Sequence, residues 1–202
     1  MLKRLSMLCM ALVMLVSAFA LASCGLISDN VYKTLEKVCN AESLTVVDET
    51  DGIVMKMDNK KKIIQMSTKN SDGTTSDYWM FYQENEAKYY AASKSFTSGS
   101  YTKEELTPRM FATTYANGVS QIKKAIREHY YTFDLWTKGS GVYYLNDEQN
   151  HVRSEFRVES GELILTKIST DTATLAKEST TIVFSNIDST KITIPQEVLN
   201  IE

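Results

Sequence analysis

The sequence has few of the residues that mark metal-binding, redox or disulfide-rich proteins. Its 202 residues contain three cysteines and two histidines, too few for a disulfide framework or a zinc cluster. Two prolines and eight glycines beside 43% hydrophobic residues exclude a disordered or low-complexity chain. A formal net charge of −3 leaves no basic excess for DNA or RNA, so nucleic acid is not an expected partner. We expect one domain that builds its core from apolar side chains.

Motifs of enzymes and cofactor sites are missing as well. The sequence contains no glycine-rich phosphate loop, no HExxH pair and no GxSxG elbow. His129 and His151 have no third ligand at a suitable spacing, and we expect both at the surface. Acidic neighbours such as Glu104 and Glu105 stand where a helix is predicted to begin, a place where acids are common. The sequence therefore predicts a non-catalytic protein without a cofactor or metal.

The amino-terminal segment has the pattern of an export signal. Residues 1–4 include Lys3 and Arg4, and residues 5–22 carry no charge. A positive start, an apolar stretch and small residues before a cleavage site are typical of secretory signals. A stretch of this length could instead remain in the membrane as a signal anchor. It is rich in Ala, Ser and Met, and no positive charge follows it before Lys33, which favours cleavage.

The end of this segment, Leu21-Ala22-Ser23-Cys24, resembles a bacterial lipobox. In signals of that kind the cysteine thiol receives a diacylglyceryl group and becomes the first residue after cleavage. The resemblance implies a signal peptide over 1–23, a lipid anchor on Cys24 with a short linker over 24–29, and a single domain over 30–202. Two acyl chains suffice for stable anchoring, so the implied location is the extracytoplasmic face of the cell membrane. Cys39, the remaining thiol, is expected to be a small buried residue.

Two helices are predicted in the mature chain. The first begins near Asp29 and runs to about Asn40, because apolar residues recur there at helical spacing. The second is long and runs to about His129, with Thr102–Glu105 as a capping box and Thr107 as a second cap before Pro108. Its apolar stripe consists of Phe111, Tyr115, Val119, Ile122, Ile126 and Tyr130.

Alternating apolar residues and turn signals predict about eleven strands. Five lie between the helices, at Leu44–Asp48, Ile53–Met57, Lys61–Thr68, Asp77–Gln83 and Ala87–Lys94. Six follow the long helix, at Tyr131–Thr137, Gly141–Leu145, Val152–Glu159, Glu162–Ser169, Thr180–Ser185 and Lys191–Ile194. Thr170–Ser179 has no assignment, and Ser160-Gly161 is the clearest hairpin turn. Tight connections favour antiparallel pairing, so we predict an α+β fold in which a large curved sheet packs on one short and one long helix.

This order of elements resembles the lipoprotein-carrier proteins and the mycobacterial-type lipid-binding lipoproteins, the LolA/LppX-like group. The closing stretch Val183–Asp188, followed by Lys191-Ile192-Thr193-Ile194-Pro195, is similar to the end of such sequences. In that group an antiparallel half-barrel of about eleven strands wraps helices and encloses a cavity for acyl chains. The resemblance implies a half-barrel here and the binding or transfer of an apolar ligand such as lipid.

A ligand cavity is expected between the sheet and the long helix. The strand Asp77–Gln83 is apolar or amphipathic on both faces, so something should cover each face, unless the tyrosine hydroxyls of one face reach water. The candidate ligand-lining residues are Trp79, Phe81, Phe111, Tyr115, Val119, Ile122 and Trp136. The alternative is a protein–protein module of a cell-envelope complex, which would dock a partner through an edge strand, an exposed aromatic face or the polar side of the long helix.

Overall fold

A single antiparallel sheet of eleven strands is the framework of the protein. The computed structural model describes residues 30–95, 97–139 and 141–201, and the predicted signal, Cys24 and the linker lie outside them. The sheet order is β6-β5-β4-β3-β2-β1-β11-β10-β9-β8-β7, so the sheet ends at β6 and β7 and does not close. The predicted α+β class and the number of strands are confirmed.

The elements follow one another in two series of strands. After helix α1 (residues 30–40) come β1 (Ser43–Asp48), β2 (Ile53–Asp58), β3 (Ile63–Lys69), β4 (Thr75–Gln83), β5 (Lys88–Lys94) and β6 (Tyr101–Leu106). Helix α2 (Pro108–Tyr131) and a 3-10 turn (Phe133–Leu135) lead to β7 (Thr137–Lys138), β8 (Tyr143–Asp147), β9 (Val152–Glu159), β10 (Glu162–Thr170) and β11 (Lys177–Ser185). A last short helix, α3, spans Gln196–Leu199. The unassigned stretch is the β10–β11 turn with the start of β11.

Three predicted elements are wrong in type. The capping box at Thr102–Glu105 lies within β6, which pairs with β5, and the helix cap is Thr107, whose hydroxyl accepts a hydrogen bond from the Met110 amide at 3.2 Å. The predicted strand at Tyr131–Thr137 is the end of α2, the 3-10 turn and the start of β7. Its break is stabilised by the Thr132 hydroxyl, which donates to the Glu128 carbonyl.

The third error concerns Lys191–Ile194, which forms no strand. Ile192 and Ile194 instead pack their side chains against the sheet. Alternation of apolar residues is the same signal for a strand and for an extended segment that lies on a sheet, so the sequence pattern alone could not separate the two.

The two faces of the sheet carry separate cores. The helix face, which carries α1 and α2, includes Leu35, Leu44, Ile126, Phe156 and Phe184, all fully buried. The outer face carries a smaller core built on β3, β4 and β5, and the segment over residues 186–201, which we call the closing segment, covers it. Among the described residues, no helix is long and apolar enough to cross a membrane.

Candidate functional site

Helix α2 packs closely on the sheet along much of its length. The Phe111 ring lies 4.4 Å from the Tyr89 ring, centroid to centroid. A Cβ atom on Gly118 would come within 2.8 Å of the Ile64 Cδ1 atom, so glycine allows the helix to approach β3. Ile122 is 3% exposed and Ile126 is fully buried. This part of the helix–sheet interface is a packed core.

The candidate ligand-lining residues divide between the two faces. Phe111, Ile122 and Trp136 are buried on the helix face, where Tyr115 and Val119 are half-buried. Tyr115 is fixed by its hydroxyl, which donates to the Asn59 Oδ1 atom at 2.9 Å and the Asp58 carbonyl at 3.2 Å. The structure brings these five residues to one face, which the helical stripe predicts for the four that lie on α2.

Trp79 and Phe81 lie on the outer face, away from α2. They are 3% and 1% exposed and pack with Val198 and the other apolar residues of the closing segment. The apolar residues on both faces of β4 are therefore covered, one set by α2 and the other by the closing segment. This position separates Trp79 and Phe81 from any ligand held between the sheet and α2.

The helix face has a partly exposed row of residues on β2–β4. Register places Val46, Met55, Met66 and Tyr78 side by side in one row across β1–β4, and alternate residues of a strand share a face. Val46 is 2% exposed, whereas Met66 is 42% exposed, and Met55 and Tyr78 are half-buried. We call Met55, Met66 and Tyr78 the methionine strip.

The row of residues next to the methionine strip is buried, in contrast to the strip itself. Met57, Ile64 and Met80 occupy that row in register and are 0%, 7% and 2% exposed. The change from a sealed row to an open one occurs within two residues along each strand. Methionine side chains are flexible and adapt to irregular apolar partners, and here they form a partly exposed apolar surface next to a buried row.

Tyr78 is the ionisable side chain of the methionine strip. Burial, followed by the nearby Glu104 carboxylate, raises the pKa of Tyr78 above its ordinary value, so its phenol is neutral at physiological pH. A neutral phenol beside two thioethers suits an apolar ligand with a polar end, because the ring packs and the hydroxyl can hydrogen-bond.

Lys123, in the second half of α2, is a buried cation. Lys123 is 5% exposed, and its Nζ atom donates to the Cys39 carbonyl at 3.1 Å and the Ala41 carbonyl at 2.7 Å. These bonds satisfy carbonyls at the end of α1, which helices leave unpaired. Burial, then the nearby Arg127, lowers the pKa of Lys123. The sequence offered no signal for this contact except a lysine next to the apolar stripe.

His129, which the sequence predicts at the surface, is half-buried. Its ring stands edge-on to the rings of Trp136 and Phe156 at 5.3 and 5.5 Å. Burial, with a contribution from Lys167, lowers the pKa of His129 to about 4, so it is neutral at pH 7. Its Nε2 atom and the indole N–H of Trp136 have no hydrogen-bond partner within the described structure. Cys39 is buried as expected, and burial raises the pKa of its thiol to about 11.

The outer face carries a polar cleft of about 390 Å³ between β5, β6 and the closing segment. Lys103 is central to it, because its Nζ atom donates to the carbonyls of Leu199 and Ile201 and lies 4.2 Å from the centre of the Tyr90 ring. The Tyr90 hydroxyl donates to the Glu86 carboxylate. These contacts hold the closing segment on the sheet, and the cleft has charged walls that do not suit an acyl chain.

Comparisons with known proteins add no relative: no family model, no curated protein and no solved structure matches the chain. Across the residues that the structure describes, no group of three His, Cys, Asp or Glu side chains could hold a metal ion.

Proposed function

We propose that this protein is a membrane-anchored extracytoplasmic lipoprotein that binds or transfers an apolar ligand, lipid being the chemistry that fits best. The observation that carries the proposal is the partial exposure of the methionine strip on the helix face. A sealed core would have served for stability alone, whereas this row leaves Met66 42% exposed between the half-buried Met55 and Tyr78 and next to the buried row of Met57, Ile64 and Met80. The lipobox-like Leu21–Cys24 sequence supplies the anchor, and the proposed role is non-catalytic.

The ligand site proposed here differs from the one expected between α2 and the sheet. Phe111, Ile122 and Trp136 are core residues, and replacing them would disturb folding as much as binding. Of the strip residues, Met55 packs against the core of the helix face. An acyl chain lying there would cover Met66 and Tyr78 and bring the exposed part of the row out of water, at about 25 cal/mol per Å² of apolar surface.

A matched pair of substitutions tests this site. Met66→Glu places a charge within the methionine strip and should abolish uptake of a fluorescent fatty acid, because burying an unpaired carboxylate is costly. Met110→Glu is the control, since Met110 is 52% exposed in the first turn of α2 and lies outside the strip. Titrations of both variants by fluorescence should show loss of binding in the first and wild-type binding in the second. Equal binding by all three proteins would contradict the proposal.

The anchor is tested separately. Cys24→Ala removes the thiol that accepts the diacylglyceryl group, so the variant should accumulate as an unlipidated precursor. Metabolic labelling with a radioactive fatty acid, followed by gel analysis of the membrane fraction, measures this. Normal labelling and normal processing of the variant would show that Cys24 is not the anchor.

A second candidate function is a protein–protein module, which the edge of the sheet favours. Strand β6 pairs with β5 along all six of its residues and is the last strand of the sheet. An edge strand offers backbone groups to which a strand of another protein can add. Loss of partner capture on Thr102→Pro, with fatty-acid binding unchanged, would favour this candidate over the first.

A further inference from the structure

The amino-terminal end of α1 meets the end of α2 in a cluster of partly exposed rings. The Tyr32 ring stacks on Tyr130 at 5.8 Å and tilts against Phe133 at 5.3 Å, and Tyr131 contacts Tyr130 edge-on at 5.7 Å. Leu135 follows in the 3-10 turn. We call Tyr32, Tyr130, Tyr131, Phe133 and Leu135 the aromatic end.

Three members of the aromatic end are more exposed than their chemistry favours. Tyr131 is 78% exposed, Leu135 is 68% exposed and Tyr32 is 41% exposed. Half of the large apolar side chains that stand exposed in the described structure thus gather at one place. Contiguous exposed apolar groups in a folded domain mark an interaction surface, and tyrosine suits a surface that is apolar on one side and wet on the other.

The short chain between this surface and the proposed lipid anchor indicates that the surface faces the membrane. Only six peptide steps separate Cys24 from Asn30, two residues before Tyr32, so the chain between them spans about 20 Å at most. A domain of this size has a radius of gyration of about 16 Å. The linker is therefore short compared with the domain. It keeps the aromatic end within a fraction of the domain's diameter from the bilayer.

We propose that the aromatic end rests on the membrane in which Cys24 is anchored, with Tyr131 and Leu135 in the interfacial layer. The inference rests on the proposed lipid anchor but not on the methionine strip. Aromatic side chains are enriched at membrane–water interfaces. The described charged residues within four positions of the cluster are all exposed and consist of three cations and three anions: Lys33, Arg127, Lys138, Glu36, Glu128 and Asp134. Because these charges balance, apolar contact rather than attraction to anionic lipid drives this docking.

Two exposed leucines provide the test. Leu135 belongs to the aromatic end, whereas Leu175, 75% exposed, lies in the β10–β11 turn. Tyr143 contacts the Phe133 ring of the aromatic end and lies in register with Phe156 and Leu165. Strand β10 continues for five residues beyond Leu165 before that turn, about 17 Å along a strand. Leu135→Cys and Leu175→Cys each introduce one reactive thiol, because Cys39 is buried, its thiol pKa is raised to about 11 and the Cys24 thiol carries lipid.

The experiment uses the full lipidated protein, purified from membranes and reconstituted into phosphatidylethanolamine–phosphatidylglycerol vesicles. A polarity-sensitive fluorophore is attached at residue 135 or residue 175. Doxyl-labelled lipids should quench the label at 135 severalfold more than the label at 175, and aqueous iodide should show the reverse preference.

The mass of the purified protein distinguishes a missing lipid anchor from an aromatic end that does not face the bilayer. If the diacylglyceryl group is present and iodide quenches both labels equally, the aromatic end does not face the bilayer and this inference is overturned, while the proposed anchor stands. The same result would turn attention to a protein partner for the patch. If the mass shows no lipid on Cys24, the anchor and this inference fail together.

Discussion

The two faces of the sheet are sealed in different ways. On the helix face two helices cover residues from most strands, and the core includes the large rings of Trp136, Phe156 and Phe184. On the outer face one extended segment covers only part of the sheet, with Val198 buried among Phe81, Trp79 and their neighbours. The comparison teaches that apolar residues on both faces of the sheet are covered, and that even the thicker cover on the helix face leaves the methionine strip partly exposed.

The largest effect is expected within the core of the helix face. Phe156 is fully buried between His129 and Trp136, so Phe156→Ala should lower the free energy of unfolding by about 4 kcal/mol. Urea unfolding followed by circular dichroism measures the change. A loss below about 1 kcal/mol would mean that the helix face is not the principal core.

A smaller effect is expected beneath the closing segment. Val198 is fully buried, and Val198→Ala removes two methyl groups and leaves a cavity, a cost of about 2 kcal/mol. Because the segment lies at the periphery, the variant should first release the segment locally. Hydrogen exchange should then accelerate at residues 196–201 but not in β10 or β11. Uniform acceleration would indicate that both faces unfold as one unit.

The contacts of Lys103 test how the closing segment is held on the outer face. Lys103→Met removes two hydrogen bonds to the closing segment and the cation over Tyr90, which should cost about 1 kcal/mol. Lys88→Met is the control, because Lys88 lies in the same cleft but pairs with Glu105 at the exposed surface, where ion pairs contribute little. Thermal unfolding of the two variants should differ, and identical melting temperatures would refute a role for Lys103 in holding the segment.

The smallest effect at neutral pH concerns His129. Its pKa is lowered from 6.5 to about 4 by burial, so the folded protein takes up the proton less readily than the unfolded chain. The stabilisation from its neutral form is complete above pH 6.5 and is lost as pH falls toward 4. His129→Phe should remove this part of the pH dependence. Urea midpoints of both proteins between pH 7 and pH 4 test the prediction, and parallel curves would contradict it.

Local patterns were enough to predict much of the fold. The apolar residues that recur at helical spacing before Asn40 are Val31, Leu35 and Val38, and this spacing predicts α1. The Ser160-Gly161 turn, with both residues at positive φ, joins β9 to β10 as expected for a tight hairpin. These features depend on neighbours in sequence. The antiparallel class followed from the short connections in the same way.

The remainder depends on contacts between distant residues. Nothing near Lys123 in sequence reveals the carbonyls of Cys39 and Ala41. The apolar faces of β4 indicate that a cover is needed, but nothing near Ile192 reveals that its segment is that cover. The methionine strip was also missed, because the exposure of Met66 is decided by where α2 crosses the sheet rather than by the alternation within β3.

The most direct test of the account is a native mass spectrum of the protein purified from its own membranes, compared with that of Met66→Glu. We predict one bound lipid in addition to the diacylglyceryl group on Cys24, released by organic solvent, and its absence from the variant. A protein that carries only the anchor mass, and that takes up no added fatty acid, would contradict the proposal that the helix face binds an apolar ligand.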